Sequence, residues 1–280
     1  MKLPPRSLRS LPAERAVSPV ETAAPSVSHV ASRNNAVVKS VRRLSRDNLA
    51  YRKLGQVWLE GDHLCRAARD HGVMPALAVF AESAWNETAA SWELGPVRVV
   101  VMPDDLFDEV SALESPARMG FVVDLPRGLE LQPRMPSVVL DRVQDAGNVG
   151  SILRCAAAFG FGQVLALKGS AALWSPKVLR AGMGAHFGLH LVESLEPAAL
   201  GGLELPIIAT SSHRGEPVHD CALPWPCAWS FGHEGQGLGD VVARQARLWC
   251  RIAQPGGQES LNVVAAAAIC LHASAVARLR

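Results

Sequence analysis

The stretch Asp141–Phe161, DRVQDAGNVGSILRCAAAFGF, decides how the rest of the chain is read. It opens at the end of a β-branched run, Ser137–Asp141 (SVVLD), which predicts a buried strand. A turn holding Asp145, Gly147 and Asn148 then leads into a helix expected over Asn148–Phe159, with Arg154 six residues past Asn148. Such a strand-to-helix turn leaves free backbone N–H groups and polar side chains at the carboxyl edge of a sheet, where α/β proteins bind ligands. Taken alone, the segment also reads as an ordinary Asn-Gly turn followed by a solvated helix arginine.

Downstream, short apolar runs at Gln163–Leu167, Pro206–Thr210, Cys227–Phe231 and Leu248–Ile252 predict further buried strands. A long terminal helix is expected over Gln258–Leu279. Strands alternating with helices favour a parallel sheet covered on both faces. Two more segments at strand ends draw notice. In Ser230–Asp240, SFGHEGQGLGD, glycines 232, 235, 237 and 239 enclose Glu234. That density lets a backbone adopt positive φ and approach a ligand closely. It matches neither the dinucleotide fingerprint nor a Walker A loop, so a Rossmann-type nucleotide site is not indicated. In Cys250–His272, CRIAQPGGQESLNVVAAAAICLH, a Pro255-Gly256-Gly257 loop precedes Glu259-Ser260-Leu261-Asn262. Ser260 and Asn262 also read as plain caps of the last helix.

Upstream, Pro126, Gly128, Pro133 and Pro136 mark a linker over 126–136. Before it, residues 31–125 predict a small α/β domain. Strands are expected at Gln56–Glu60, Ala76–Phe80, Val97–Met102 and Met119–Val123, with helices at Asp62–His71 and Asp104–Leu113. Val37, Val38, Val41 and Leu44 recur at helical spacing after Ser32-Arg33-Asn34-Asn35. Lys39, Arg42, Arg43 and Arg46 fall largely away from that apolar stripe, either a solvated face or one available for phosphates. Residues 1–30, rich in Pro, Ser, Ala and Arg, are expected to be a disordered basic tail. The tail has no apolar core of a secretory signal, and Pro4, Pro5, Pro12 and Pro19 disfavour a transit helix.

The chain has 280 residues, enough for two domains, of which 137–280 forms the second. A hydrophobic share of 49% against 19% charged, with mean hydropathy +0.12, excludes disorder throughout. The longest apolar run, Val263–Leu271, is nine residues, whereas a membrane span needs about twenty. Six scattered cysteines form no C-x-x-C pair, which predicts neither a disulfide framework nor a metal site, and fits a reducing, cytoplasmic setting. The overall charge of +2 divides unevenly: residues 1–60 carry net +7 and the remainder net −5. A basic arm suggests a polyanionic partner, nucleic acid first, although a solubilising tail reads the same way.

Taken together, the three segments resemble the SpoU (TrmH) branch of the SPOUT RNA methyltransferases. The first family motif is matched by Asn148, Gly150, Arg154, Phe159 and Gly160, the second by Gly232, Glu234, Gly235, Gly237 and Leu238. The third is matched by Ile252, Gly256, Glu259, Ser260, Leu261, Asn262 and Val263. Ala146 departs from the family in the first segment, and Ala253, Gln254 and Val264 depart from it in the third. The resemblance implies a trefoil-knotted parallel sheet, preceded by an RNA-binding domain to which residues 33–125 are similar. It implies S-adenosylmethionine as cofactor, bound mainly by backbone at Gly232, Ile252 and Leu261 with Gly235 and Gly237. The reaction implied is methyl transfer to a ribose 2′-hydroxyl of rRNA, or of tRNA, without a metal. Arg154 is then the key charged group, Asn148 orients it or the ribose, Glu234 fixes the arginine or the substrate, and Ser260 and Asn262 complete the pocket. Arg33, Asn34, Lys39, Arg42 and Arg43 are the implied phosphate contacts, and a homodimer is the implied assembly. An inactive RNA-binding or ribosome-assembly scaffold of the same fold is the alternative.

Overall fold

Two β-sheets, each with its own helices, make up the computed structural model, which describes residues 24–88, 91–256 and 260–279. The first contains β1 (Ser26–His29), α1 (Ala36–Arg46), α2 (Ala50–Leu54), β2 (Gln56–Glu60), α3 (Asp62–Asp70), β3 (Leu77–Ala81), α4 (Glu82–Thr88), β4 (Arg98–Met102), α5 (Asp104–Val110) and β5 (Met119–Asp124). Its strand order is β1-β4-β3-β5-β2. Strands β1, β4 and β3 run parallel, and β5 is antiparallel to both its neighbours. The stripe read from α1 is the buried one: Val38, Val41 and Leu44 face the core, and Asn35 caps the helix by accepting from the Val37 N–H at 2.8 Å. Each such side chain, fully buried, contributes about 1.5–3 kcal/mol.

Residues 26–29 correct the expectation of a disordered stretch through residue 30. SVSH adds a parallel edge strand to β4, from Ser26 beside Arg98 to His29 beside Val101. Its side chains are exposed, so backbone pairing rather than an apolar pattern creates it, and periodicity could not have found it. The rest of the expected tail, residues 1–23, lies outside the described residues.

The second half contains β6 (Ser137–Asp141), α6 (Ala146–Ala158), β7 (Gln163–Leu167), α7 (Pro176–Gly182), β8 (His190–Leu195), β9 (Ile207–Thr210), β10 (Glu216–Pro217), β11 (Ala228–Gly232), α8 (Asp240–Gln245), β12 (Ala246–Arg251) and α9 (Val263–Arg278). All seven strands pair in parallel, in the order β10-β12-β9-β11-β6-β7-β8. Every residue of β6 and β7 is buried, as a parallel strand covered on both faces requires. Helix α9 begins at Val263, later than the expected Gln258, because Asn262 takes the cap position and accepts from the Val264 N–H at 2.8 Å. Among the described residues, no helix is long and apolar enough to cross a membrane.

Segment 126–136 contains neither helix nor strand, yet it is fastened down. The Gln132 N–H donates to Gln163 Oε1 at 2.7 Å, the Glu204 N–H donates to the Pro133 carbonyl at 2.9 Å, and Leu129 and Leu131 pack on the second core. The halves also share apolar contact. Leu179 of α7 is buried in the first core, and a Cβ on Gly184 would lie 2.4 Å from that of Ala67.

Candidate functional site

Sheet register brings the conspicuous loops together. Gly232, the last residue of β11, stands opposite Asp141, the last of β6. The turn before α6 and the glycine-rich loop therefore leave the sheet side by side, at its carboxyl edge. Strand β12 lies two places from β11, beyond β9, with Ile252 at its exit.

Side chains from the three loops join there. Asn148 donates from Nδ2 to Glu234 Oε1 at 3.1 Å and accepts at Oδ1 from Asn262 Nδ2 at 3.3 Å. One asparagine thus links all three segments. Asp145 fixes its backbone by capping α6, accepting the Asn148 N–H at 2.7 Å. Partial burial opposes ionisation of Glu234, but hydrogen bonds from Asn148 and from the backbone at Glu234, Gln144 and Asp145 outweigh it. The carboxyl is held below its ordinary range. It is therefore ionised at neutral pH.

The glycine-rich loop is shaped by residues that sequence patterns did not single out. Arg142, at positive φ, donates from Nε to Asp141 Oδ1 at 3.1 Å, from Nη1 to Gln236 Oε1 at 2.9 Å and from Nη2 to the Gly237 carbonyl at 3.3 Å. The buried Asp141 accepts the Gly239 N–H on Oδ2 at 2.5 Å. His233 Nδ1 accepts from the Gly235 and Gln236 N–H groups at 2.9 and 3.2 Å, and His233 and Gly237 exchange two backbone bonds. Gly232 is required sterically, since a Cβ there would lie 2.2 Å from the Gly237 carbonyl carbon and 2.4 Å from the Leu238 nitrogen. The available signal was Asp141-Arg142 at the end of the first strand, which looks like a strand end until the register pairs it with Gly232.

Other motif positions sort differently. Gly150 serves helix packing: a Cβ there would lie 2.4 Å from that of Ala181 and 2.7 Å from the Gly182 nitrogen, so it sets how closely α6 and α7 approach. Arg154 is exposed on α6 and has no hydrogen-bond or ion-pair partner among the described residues. Six residues of helix carry it roughly 120° around and about 9 Å along from Asn148. Among the described residues neither Asn148 nor Glu234 bonds Arg154; those two bond each other. Ser260 and Leu261 are exposed and Ile252 is half-buried at the mouth. Glu259 lies outside the described residues. On α1 and the turn before it, Glu109 takes both Arg33 and Arg42, Asp47 faces Arg43 at 3.8 Å, and Lys39 and Asn34 are exposed. That face is less free than its sequence suggested.

A donor with hydrogen-bonding edges fits this mouth. Gln254 Oε1 is buried and accepts from no donor among the described residues, two positions beyond Ile252, so it is an orphaned acceptor for a bound N–H group. No group of metal-ligating side chains occurs among the described residues.

Residues 135–272 match the model of the SpoU rRNA Methylase family. That segment is a domain of the family. The chain is 28% identical over 218 residues to the 23S rRNA (guanosine(2553)-2′-O)-methyltransferase RlmP of Bacillus subtilis, covering 76% of this chain and 86% of that protein. A TrmH-family structure from Porphyromonas gingivalis superposes with a TM-score of 0.76 at 27% identity, over 86% of this chain and 97% of the other. An AdoMet-bound rRNA methyltransferase from Sinorhizobium meliloti shares the fold, with a TM-score of 0.77 at 23% identity over 89% and 97% of the two chains.

Proposed function

We propose that this SpoU-family chain transfers a methyl group from S-adenosylmethionine to a ribose 2′-hydroxyl of RNA, with rRNA the first candidate and tRNA the second. The observation that carries the proposal is the hydrogen-bonded set Glu234–Asn148–Asn262, one residue from each motif, at the sheet edge beside Gly232. When bound, the donor supplies a methyl group on a positively charged sulfur. Gly232, Gly235, Gly237, Ile252 and Leu261 would hold it through backbone groups, and Gln254 Oε1 would be free to accept one of its N–H groups. The homologue from Bacillus subtilis and the AdoMet-bound relative of the same fold support this choice of donor and acceptor.

The residues divide the remaining work. A ribose hydroxyl is a weak acid that must shed its proton, here to solvent water, as its oxygen attacks the methyl carbon and the carbon–sulfur bond breaks, so positive charge beside that oxygen lowers the barrier. Arg154 supplies it, contacting the adjoining phosphate and the developing oxyanion; its very high pKa suits it to this role and not to that of a base. Asn148 holds the loops in register, Glu234 anchors Asn148, and Asn262 and Ser260 close the substrate side. Holding the reacting atoms in line accounts for much of the rate gain in such transfers.

The reading extends to assembly. The segment after β12 threads a loop to make a trefoil knot. Residues 137–280 form the transfer domain, 126–136 the linker, and 31–125, together with β1, the RNA-binding domain. Two copies associate through the α9 face, where Ile269 is exposed beside a cavity of about 610 Å³ lined by Phe159, Ile252, Ala268 and His272. The protein works in the cytoplasm.

The test is transfer of a labelled methyl group from S-adenosylmethionine to transcribed, unmodified rRNA. Label retained in the RNA is expected. Donor binding with no transfer to rRNA or tRNA would establish the scaffold alternative instead.

A further inference from the structure

The cations on and just before α1 are largely committed, since Glu109 takes Arg33 and Arg42, Asp47 takes Arg43, and Arg46 donates to the Glu109 and Ser111 carbonyls. Uncommitted positive charge lies elsewhere. Lys53, just after Arg52 on α2, and Arg127, at the start of the linker, are exposed and have no acidic partner among the described residues. Both line a cleft of about 560 Å³ between the two halves, floored by Tyr51 and Trp174. The one acid in its wall, Glu193 of β8, is already occupied. It accepts the Tyr51 hydroxyl and Arg52 Nε (3.0 Å) on Oε1, and the Leu173 N–H on Oε2 at 3.0 Å. Burial and the neighbouring carboxylate push the Tyr51 pKa up, which keeps its hydroxyl proton in place to donate. The cleft therefore presents net positive charge.

A chain of contacts leads from it toward the candidate site. A second cavity, of about 510 Å³, shares Arg52 and Glu193 with the first and runs along the loop after β7, past Lys168 and Gly169. Lys168 pairs with Glu196 on the surface, a contact weak enough to exchange for a phosphate. Gly169, at positive φ, packs on Arg142, whose Cγ would lie 3.1 Å from an added Cβ. Arg142 is the residue that holds Gln236 and Gly237. Both cavities fall within the roughly 300–1,000 Å³ of ligand clefts.

We propose that the RNA strand flanking the target nucleotide follows this track, from the glycine-rich loop past Gly169, Lys168 and Arg52 to the interdomain cleft, where Lys53 and Arg127 hold its phosphates. The proposal rests on the RNA methyl-transfer reading and names the substrate's path within it. Phosphate contacts of this kind set position and register without reading sequence.

The experiment compares the full chain with the double variant Lys53→Ala/Arg127→Ala, both residues being exposed and outside the catalytic set. Binding to transcribed, unmodified large-subunit rRNA is measured across a salt series, with S-adenosylmethionine calorimetry and thermal melting alongside. The double variant should raise the RNA Kd about 10-fold or more and lower the salt slope by about 1.4, two single-strand phosphates at about 0.7 each. Donor affinity and melting temperature should not move. An RNA Kd and salt slope equal to wild type in the double variant would overturn the track. So would wild-type protein that fails to retain this RNA. Wild-type protein that binds the RNA but methylates neither rRNA nor tRNA overturns the functional reading instead, and the salt slope still judges the track.

Discussion

Replacing Gly232 by alanine tests the donor cradle at its tightest point. The added methyl would sit 2.2 Å from the Gly237 carbonyl carbon and 2.4 Å from both its oxygen and the Leu238 nitrogen, where ordinary contact begins at 3.4 Å. The glycine-rich loop must therefore retreat by about 1.2 Å, and its obstacle is backbone, which has no rotamer to swing away. The retreat strains the Arg142 bonds to Gln236 and Gly237 and the Asp141 bond to Gly239. Overpacking of this kind costs about 1–3 kcal/mol, which a folded chain of this size survives. A misplacement near 1 Å at a reacting site can cost about 100-fold. Gly232→Ala should thus fold, melt several degrees lower, and transfer methyl from S-adenosylmethionine about 100-fold more slowly. Turnover within twofold of wild type in the folded variant would refute the reasoning.

Arg154→Ala should lower methyl transfer at least about 100-fold at saturating donor while leaving donor binding and melting unchanged, as deletion of a charge that acts mainly in the transition state does; near-normal turnover would remove that role. Gly150→Ala forces α6 off α7 and should cost about 1–3 kcal/mol in urea unfolding, with no loss expected if the glycine serves only a ligand. The buried His186 donates from Nε2 to the Leu173 carbonyl at 2.9 Å, and burial outweighs that bond and pushes its pKa down to about 4 from 6.5. The unfolded chain takes up this proton first, so stability present above pH 6.5 is lost as pH falls toward about 4, by about 3 kcal/mol at most. His186→Gln should flatten that part of the stability-pH curve, and an unchanged slope would contradict it.

Strands with a continuous apolar signal were legible in the sequence: β2, β6 and β7 start and stop where their residues predict. Elements whose cause is not periodic were not. Strand β1 exists because β4 offers an open edge, and β8 is obscured by Glu193 and by Ser194 at positive φ, where its register with β7 shifts. Helix α7 is only seven residues, opened by Pro176 and the Ser175 cap. At the site, the motif residues Asn148, Glu234 and Asn262 were readable, but their mutual bonds depend on β11 lying beside β6, which spacing along the chain does not express. The same neighbour relation makes Asp141 and Arg142 the frame of the glycine-rich loop. On α1 the error was of the opposite kind. Arg33 and Arg42 look free in the sequence because Glu109, which neutralises both, lies more than sixty positions away.

The most direct measurement is mass spectrometry of the nucleosides released from an rRNA transcript treated with the protein and S-adenosylmethionine. A single 2′-O-methylated nucleoside, absent from the Arg154→Ala reaction, is the predicted product. A methyl group on a base, or a ribose methylated equally well without Arg154, would contradict the assignment of this edge of the sheet to ribose chemistry.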